Sequence, residues 1–108
     1  KNGIDEFMLK VQYRMPESLI AFSSIYFYGG LVKSADDRPI IPPPLGFPWR
    51  HSQHFAFVKV AGDEVTDNSG GISNPKEAKL VVNVLSNLLE AGEVTDANMV
   101  VISPYSNQ

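Results

Sequence analysis

The sequence predicts an α/β fold in which a parallel sheet is flanked by helices. Three apolar runs have the length of strands, at residues 7–13, 55–61 and 99–102, and helical patterns lie between them. Strands that are apolar throughout are typical of parallel sheets covered on both faces. The 108 residues, 44% of them apolar, suffice for one small domain or part of one.

The first predicted strand, residues 7–13, is followed at once by a helix. Pro16 suits the start of a helix, and Glu17 favours the positive end of the helix dipole. Gly29-Gly30 ends the pattern. The apolar residues that recur at helical spacing are Leu19, Phe22, Ile25 and Tyr26.

A long proline-rich loop is predicted at residues 33–54. Its prolines exclude a regular helix or a central strand, because proline lacks the backbone donor that both need. They are Pro39, Pro42, Pro43, Pro44 and Pro48.

The clearest local signal marks the second helix. Asn74 is the predicted cap, Pro75 takes the first helical position, and Glu77 stands where a capping box needs an acid. Gly92 supplies a left-handed exit. The apolar face consists of Ala78, Val81, Val82, Leu85, Leu88 and Leu89.

The composition excludes several classes of protein. Without cysteine there is no disulfide, no thiolate nucleophile and no cysteine-based zinc site. The chain has no apolar run long enough to span a membrane, and its first residues lack the order of a signal peptide. The lack of cysteine does not fix the compartment but is compatible with an intracellular protein, nuclear or cytoplasmic, and no membrane partner is expected. The net charge of −3 argues against a free-standing nucleic-acid-binding module.

Three weak motifs are interpreted as structural. The pair His51 and His54 has a metal-like spacing, but no nearby cysteine and only loosely placed acids accompany it, so a solvated loop pair is predicted and no metal site. The acids Asp36-Asp37 are typical turn formers. Ser69-Gly70-Gly71 lacks the lysine of a phosphate loop and predicts a plain turn.

The adjacent residues Tyr13 and Arg14, at the end of the first strand, admit two interpretations. In one, Tyr13 packs its ring and Arg14 pairs with an acid such as Glu17 or Asp5. In the other, Tyr13 offers a flat face to a base and Arg14 offers a planar fork to a phosphate. Spacing alone does not choose between them.

A series of motifs along the chain resembles one helicase family. Residues 8–15, MLKVQYRM, are followed by Leu19, Phe22, Ser24 and then FYxG at 27–30. This resembles the motif LxVQYRMHPxLxxFPSxxFYxG of superfamily-1 helicases of the up-frameshift and senataxin branch. Further matches in the family's order are Asp37-Arg38, GFPW at 46–49, FVxVxGxE at 57–64, Ser69-Gly70, NxxEA at 74–78 and VISPYxxQ at 101–108.

The resemblance implies that residues 1–108 are a fragment of the second RecA-like motor domain, a partial three-layer fold of the P-loop NTPase class. The parent would be an ATP-dependent RNA or RNA/DNA helicase, acting in RNA processing, that couples ATP hydrolysis to translocation and unwinding. The phosphate loop, the Mg²⁺-binding acidic motif and a second arginine lie outside these residues. ATP and Mg²⁺ would therefore be held mainly by other parts of the parent, and the fragment alone is expected to be inactive.

The resemblance also implies site residues and partners. Tyr13 would lie against adenine, Arg14 would be the catalytic arginine finger on the terminal phosphates, and Gln12 would assist in nucleotide binding. The partners would be single-stranded RNA or DNA and the first RecA-like domain. The residues implied to contact nucleic acid are Ser103, Pro104, Tyr105 and, as a second-tier candidate, Gln108.

Three departures and one alternative accompany the resemblance. The spacing from Ser69-Gly70 to Asn74 is one residue shorter than in the family, so no function is carried over to that loop. Pro16-Glu17 replaces the family's His-Pro and brings a carboxylate close to the proposed finger, and Ser103 replaces a threonine. The alternative is a degenerate, helicase-like scaffold without ATPase activity, with residues 39–48 and Trp49 as a docking surface. Since an excised domain exposes apolar surface, self-association of the fragment is also expected.

Overall fold

The computed structural model describes residue 3 and residues 6–106. The chain divides into two compact units. The first comprises Lys1–Pro43 and Trp49–Ala56, and the second comprises Pro44–Pro48 and Phe57–Gln108.

The first unit contains a strand, a helix and a second strand parallel to the first. These elements are β1 (Val11–Gln12), α1 (Glu17–Tyr28) and β2 (Lys33–Ser34). Val11 lies opposite Lys33 and Gln12 opposite Ser34. The helix therefore forms the crossover that a parallel pair requires, and an α/β arrangement with a parallel pair is confirmed.

Helix α1 has the bounds that the sequence predicts. Pro16 caps it in a non-helical conformation, and Gly29 ends it in the left-handed region with φ 58°. The buried side chains are Ile20 and Ser24, and Ser24 Oγ donates to the Val32 carbonyl at 2.6 Å. The face with Leu19, Phe22, Ile25 and Tyr26 is exposed. A helix that is apolar on nearly every side is typical of one enclosed by a larger protein.

The predicted strands are much longer than the observed ones. Within residues 6–106, the first run forms a ladder only at Val11–Gln12, and residues 55–61 and 99–102 form none. Conversely, β2 begins the proline-rich segment, for which no central strand was predicted. A strand exists only where a neighbour accepts its hydrogen bonds, and an apolar run cannot reveal whether that neighbour is present.

The second unit contains an antiparallel hairpin followed by a helix. Its elements are β3 (Val65–Thr66), β4 (Ile72–Ser73) and α2 (Pro75–Glu90). The hairpin loop is closed by Asp67, whose Oδ1 accepts from Ser69 N at 2.8 Å, Ser69 Oγ at 2.7 Å and Gly71 N at 2.8 Å. The Asp67 carboxylate thus accepts from the amides that a bound anion would otherwise use. The predicted plain turn is therefore confirmed.

The start of α2 also matches its prediction. Asn74 Oδ1 accepts from the amides of Lys76 and Glu77, each at 3.2 Å, and Pro75 takes the first helical position. Gly92, beyond the helix, has φ 80°. Local capping chemistry therefore fixed both ends of this helix.

Replacing Asn74 by alanine should loosen the first turn of α2. Asn74 is 7% exposed, and its Nδ2 also donates to the Gly62 carbonyl at 3.2 Å. We expect a local loss of about 1–2 kcal/mol, because the cap and the hydrogen bond to the Gly62 carbonyl both disappear. Faster amide hydrogen exchange at Lys76 and Glu77 checks this. Asn74→Asp keeps the acceptor and should lose less; equal exchange in all three proteins would contradict the assigned cap.

The buried apolar core of the described residues is small. It consists of Ile20 and Ala35, both in the first unit, and no residue of α2 is buried. Large apolar side chains stand almost fully exposed, among them Phe7 at 95% and Ile40 at 98%. Exposed apolar surface of this kind is typical of a segment that other protein covers. None of the helices in the described ranges is long and apolar enough to cross a membrane.

Candidate functional site

The residues that follow β1 form a bend, residues 13–15, which we call the arginine bend. The Gln12 side chain fixes it: its Nε2 donates to the Met15 carbonyl at 2.6 Å, and its Oε1 accepts from Met15 N at 2.8 Å. The same Nε2 donates to Ser34 Oγ at 2.7 Å. The bend is thereby tied to both strands of the parallel pair.

A second side chain holds the arginine bend from the end of β2. Arg38 donates from Nε to the Tyr13 carbonyl at 3.0 Å and from Nη2 to the Arg14 carbonyl at 3.4 Å. Arg38 is itself half-buried, and its amide donates to the Ala35 carbonyl at 3.2 Å. The backbone of the bend is thus held by side chains on two sides.

The two side chains of interest on this bend point into open surroundings. Tyr13 is 67% exposed, and Arg14 is exposed. Within residues 6–106 the Arg14 guanidinium makes no hydrogen bond or ion pair, so the pairing with Glu17 considered above does not form. Asp5 lies outside the described residues. A fixed backbone that presents a charged side chain without a partner is suited to a ligand that arrives from outside.

A groove in the same unit lies between the start of α1 and the end of β2. It has a volume of about 510 Å³, and its lining includes Glu17, Lys33, Arg38 and His54. Charges of both signs line it, so the groove is not selective for an anion as a whole. Arg38, which contacts the arginine bend, forms part of its wall.

His54 has a structural role in this groove. Its Nε2 lies 2.7 Å from the Ile41 carbonyl, which can only accept, so Nε2 carries the hydrogen. Its Nδ1 lies 3.3 Å from Ser18 Oγ. Both ring nitrogens are therefore occupied, unlike those of the solvated pair with His51 that the sequence predicts. No group of three metal-ligating side chains was found in the described part of the chain.

The second predicted contact region, residues 103–105, forms a bend in the second unit, which we call the serine bend. Ser103 Oγ donates to the Tyr105 carbonyl at 3.0 Å and accepts from Tyr105 N at 3.1 Å. Tyr105 is 47% exposed and lines a small cavity with Glu64 and Glu77. Gln108 lies outside the described residues. The arginine bend belongs to the first unit and the serine bend to the second.

Sequence reasoning missed Arg38, which lies beyond β2 and holds the arginine bend, and Ser34 of β2, which accepts from the Gln12 side chain. The motif series contained a signal for one of them, since Asp37-Arg38 occurs in the family's order. Gln12 was expected beside the nucleotide; here both hydrogens of its amide nitrogen are used inside the protein.

Comparison with known proteins identifies the family. A family model described as an AAA domain matches residues 1–108, so the chain belongs to the AAA domain family. Together with its relatives, this match confirms the resemblance: the chain is a fragment of the AAA domain of superfamily-1 helicases.

The relatives are much longer proteins. The chain is 32% identical over 111 residues to the 3'-5' exoribonuclease HELZ2 of Mus musculus, covering 96% of this chain and 4% of that protein. It is 32% identical over 111 residues to the regulator of nonsense transcripts 1 homolog of Drosophila melanogaster, with 98% and 9% covered. It is 30% identical over 124 residues to the DNA replication ATP-dependent helicase/nuclease DNA2 of Xenopus laevis, with 93% and 12% covered. No solved structure matches the chain significantly.

Proposed function

We propose that this chain forms one wall of a composite ATP site in the second RecA-like motor domain of a superfamily-1 helicase. Arg14 acts as its arginine finger and Tyr13 stacks on the base. The observation that carries the proposal is the exposed Arg14 guanidinium, which has no partner in residues 6–106 although its backbone is fixed by Gln12 and Arg38. The family supports the proposal, since one relative is named an ATP-dependent helicase.

The chemistry of Arg14 fits the anionic end of a nucleotide. Its guanidinium stays charged and presents planar donors that match phosphate oxygens. Because it is not committed to a carboxylate in the described residues, no ion pair must break before a phosphate binds. When bound, ATP supplies the transferable phosphoryl group and Mg²⁺ shields its charge. Arg14 contributes fixed positive charge where negative charge increases during phosphoryl transfer.

The nucleotide pocket is incomplete in this chain. We infer that the phosphate loop and the Mg²⁺ ligands come from the rest of the parent, chiefly the first RecA-like domain, because the described residues present neither. Closure of the two halves would bring Arg14 to the phosphates and Tyr13 to the base. The exposed apolar sides of α1 suit a segment enclosed by the remaining layers of such a domain.

For nucleic acid, the serine bend remains our proposed contact. Pro104 and Tyr105 would face the backbone or ribose of single-stranded RNA or DNA, with Gln108 as a further candidate. Because the Ser103 hydroxyl already bonds within the bend, we assign it chiefly to shaping the loop. Alternation between closure around ATP and grip at this bend would move the strand.

The proposal is tested in the full-length protein that contains this chain. Arg14→Ala should abolish most nucleic-acid-stimulated ATP hydrolysis while the protein remains folded. If the wild-type protein hydrolyses no ATP under any condition, the degenerate scaffold without ATPase activity replaces this proposal.

A further inference from the structure

We propose that Arg38 is a positioning residue, which holds the arginine bend so that the Arg14 side chain is placed for ATP hydrolysis. The inference rests on the proposed function of Arg14. Its basis is that the Arg38 guanidinium donates to the carbonyls of Tyr13 and Arg14, at 3.0 and 3.4 Å. These are the two residues whose side chains are assigned to the nucleotide.

Arg38 can position the bend because its own place is determined by the strands. Ala35 is buried, and its amide donates to the Gln12 carbonyl at 3.0 Å, which ties the end of β2 to the end of β1. The Ala35 carbonyl then accepts from Arg38 N at 3.2 Å. A closed path of hydrogen bonds therefore runs from β1 through β2 and Arg38 back to the arginine bend.

The guanidinium is suited to this task in a way that lysine is not. Its donors are held in one rigid plane, so two of them fix the relative orientation of two successive carbonyls. A lysine ammonium is a point charge on a mobile stem and fixes the direction of one carbonyl at best. This geometry explains why arginine suits position 38 better than lysine.

The bend needs such support because packing supplies little of it. Tyr13 and Arg14 are both exposed, and the Gln12 side chain holds Met15, on the far side of Arg14. Without Arg38, the peptide before Arg14 loses the bond to its carbonyl, and the peptide after Arg14 keeps only the bond from Met15 N to Gln12. The arginine side chain is long, so a small rotation of its backbone displaces the guanidinium considerably, and a misplacement of about 1 Å can cost about 10²-fold in rate.

The test uses the full-length protein and four substitutions. Arg38→Met keeps an unbranched stem and removes the donors, Arg38→Lys keeps the charge, and Arg14→Ala removes the finger. Arg50→Met is the matched control, because Arg50 is an exposed arginine of the same unit whose side chain has no partner in the described residues. The readouts are kcat and KM for ATP in the presence of single-stranded RNA, and hydrogen exchange at the Met15 amide.

We expect Arg38→Met to lower kcat by about 10- to 100-fold, with KM changed by less than about threefold, and to speed Met15 exchange. Arg38→Lys should recover part of kcat. In the Arg14→Ala background, Arg38→Met should cause no further loss, because residues that act as one unit are non-additive. Arg50→Met should match the wild type.

The kinetics of the variants distinguish a failure of this inference from a failure of the proposed function. If Arg14→Ala lowers turnover but Arg38→Met does not, or if their losses multiply, Arg38 does not act through Arg14 and this inference alone is overturned. If Arg14→Ala leaves turnover normal, the proposed function fails, and the positioning role in catalysis fails with it.

Discussion

Arg14→Ala in the full-length protein is expected to lower the kcat of nucleic-acid-stimulated ATP hydrolysis by about 10³-fold, the size typical of an arginine finger. The reason lies in the geometry of the arginine bend. Its backbone is fixed by Gln12 and Arg38, while the guanidinium is exposed and has no partner in residues 6–106. The loss should fall mainly on kcat, because stabilisation that increases in the transition state affects turnover more than binding. Steady-state kinetics measure both constants.

Two variants make this result specific. Arg14→Lys keeps the charge and loses the planar fork, so it should recover only part of the activity. Arg50→Ala removes another exposed arginine of the same unit and should turn over ATP as the wild type does. Because the Arg14 guanidinium has no partner among the described residues, its removal should leave thermal unfolding unchanged. Turnover of Arg14→Ala within threefold of the wild type would remove Arg14 from the site.

Gly46→Ala is expected to give the largest loss of stability in the second unit. Gly46 has φ 101°, and a Cβ placed there would lie 2.9 Å from Leu88 Cα, against the backbone of α2. A helix backbone cannot move aside as a flexible side chain can. Overpacking and left-handed strain together should cost about 2–4 kcal/mol. The neighbouring contact, from Leu45 N to Glu93 Oε2 at 2.7 Å, should be strained as well.

The matched control for this prediction is Gly92→Ala. Gly92 has φ 80°, but a Cβ there would meet nothing within 4 Å. Gly92→Ala should therefore cost about 1 kcal/mol for the left-handed conformation, with no added cost from a steric clash. Hydrogen exchange of the α2 amides in both variants reports the local effect. Equal protection in Gly46→Ala and Gly92→Ala would contradict the close approach of residues 44–48 to this helix.

The helices could be predicted from the sequence because their limits are local. Pro16, Gly29, Asn74 and Gly92 act within a few residues of where they stand, and each limits a helix as expected. The glycine at position 46 could not be explained locally. It lies close to the backbone of α2, which is distant in sequence.

The sheet could not be predicted in the same way because strand pairing is not local. The run at residues 99–102 has the composition of a buried strand, yet it pairs with nothing in the described part of the chain, and Ile102 is 88% exposed. Composition reports that a segment is suited to burial, whereas the partner that buries it can belong to another part of the protein. In the three relatives compared above, most of each protein lies beyond the matched residues.

From the sequence, the exposed residues of the candidate site could be proposed, but the contact of Arg38 with their backbone could not. Tyr13 and Arg14 were singled out by residue type and by resemblance. Arg38 could not be assigned a role, because 24 residues separate it from Arg14 and only the parallel pairing of β1 with β2 brings the two together.

The most direct test of the account is a structure of the full-length protein bound to Mg²⁺ and a non-hydrolysable ATP analogue. We predict that the Arg14 guanidinium lies within about 3 Å of the oxygens of the terminal phosphate, the distance of a charge-assisted hydrogen bond. We also predict that the Tyr13 ring lies against the base. An Arg14 side chain that turns away from the nucleotide and pairs with a carboxylate such as Glu17 would contradict the account.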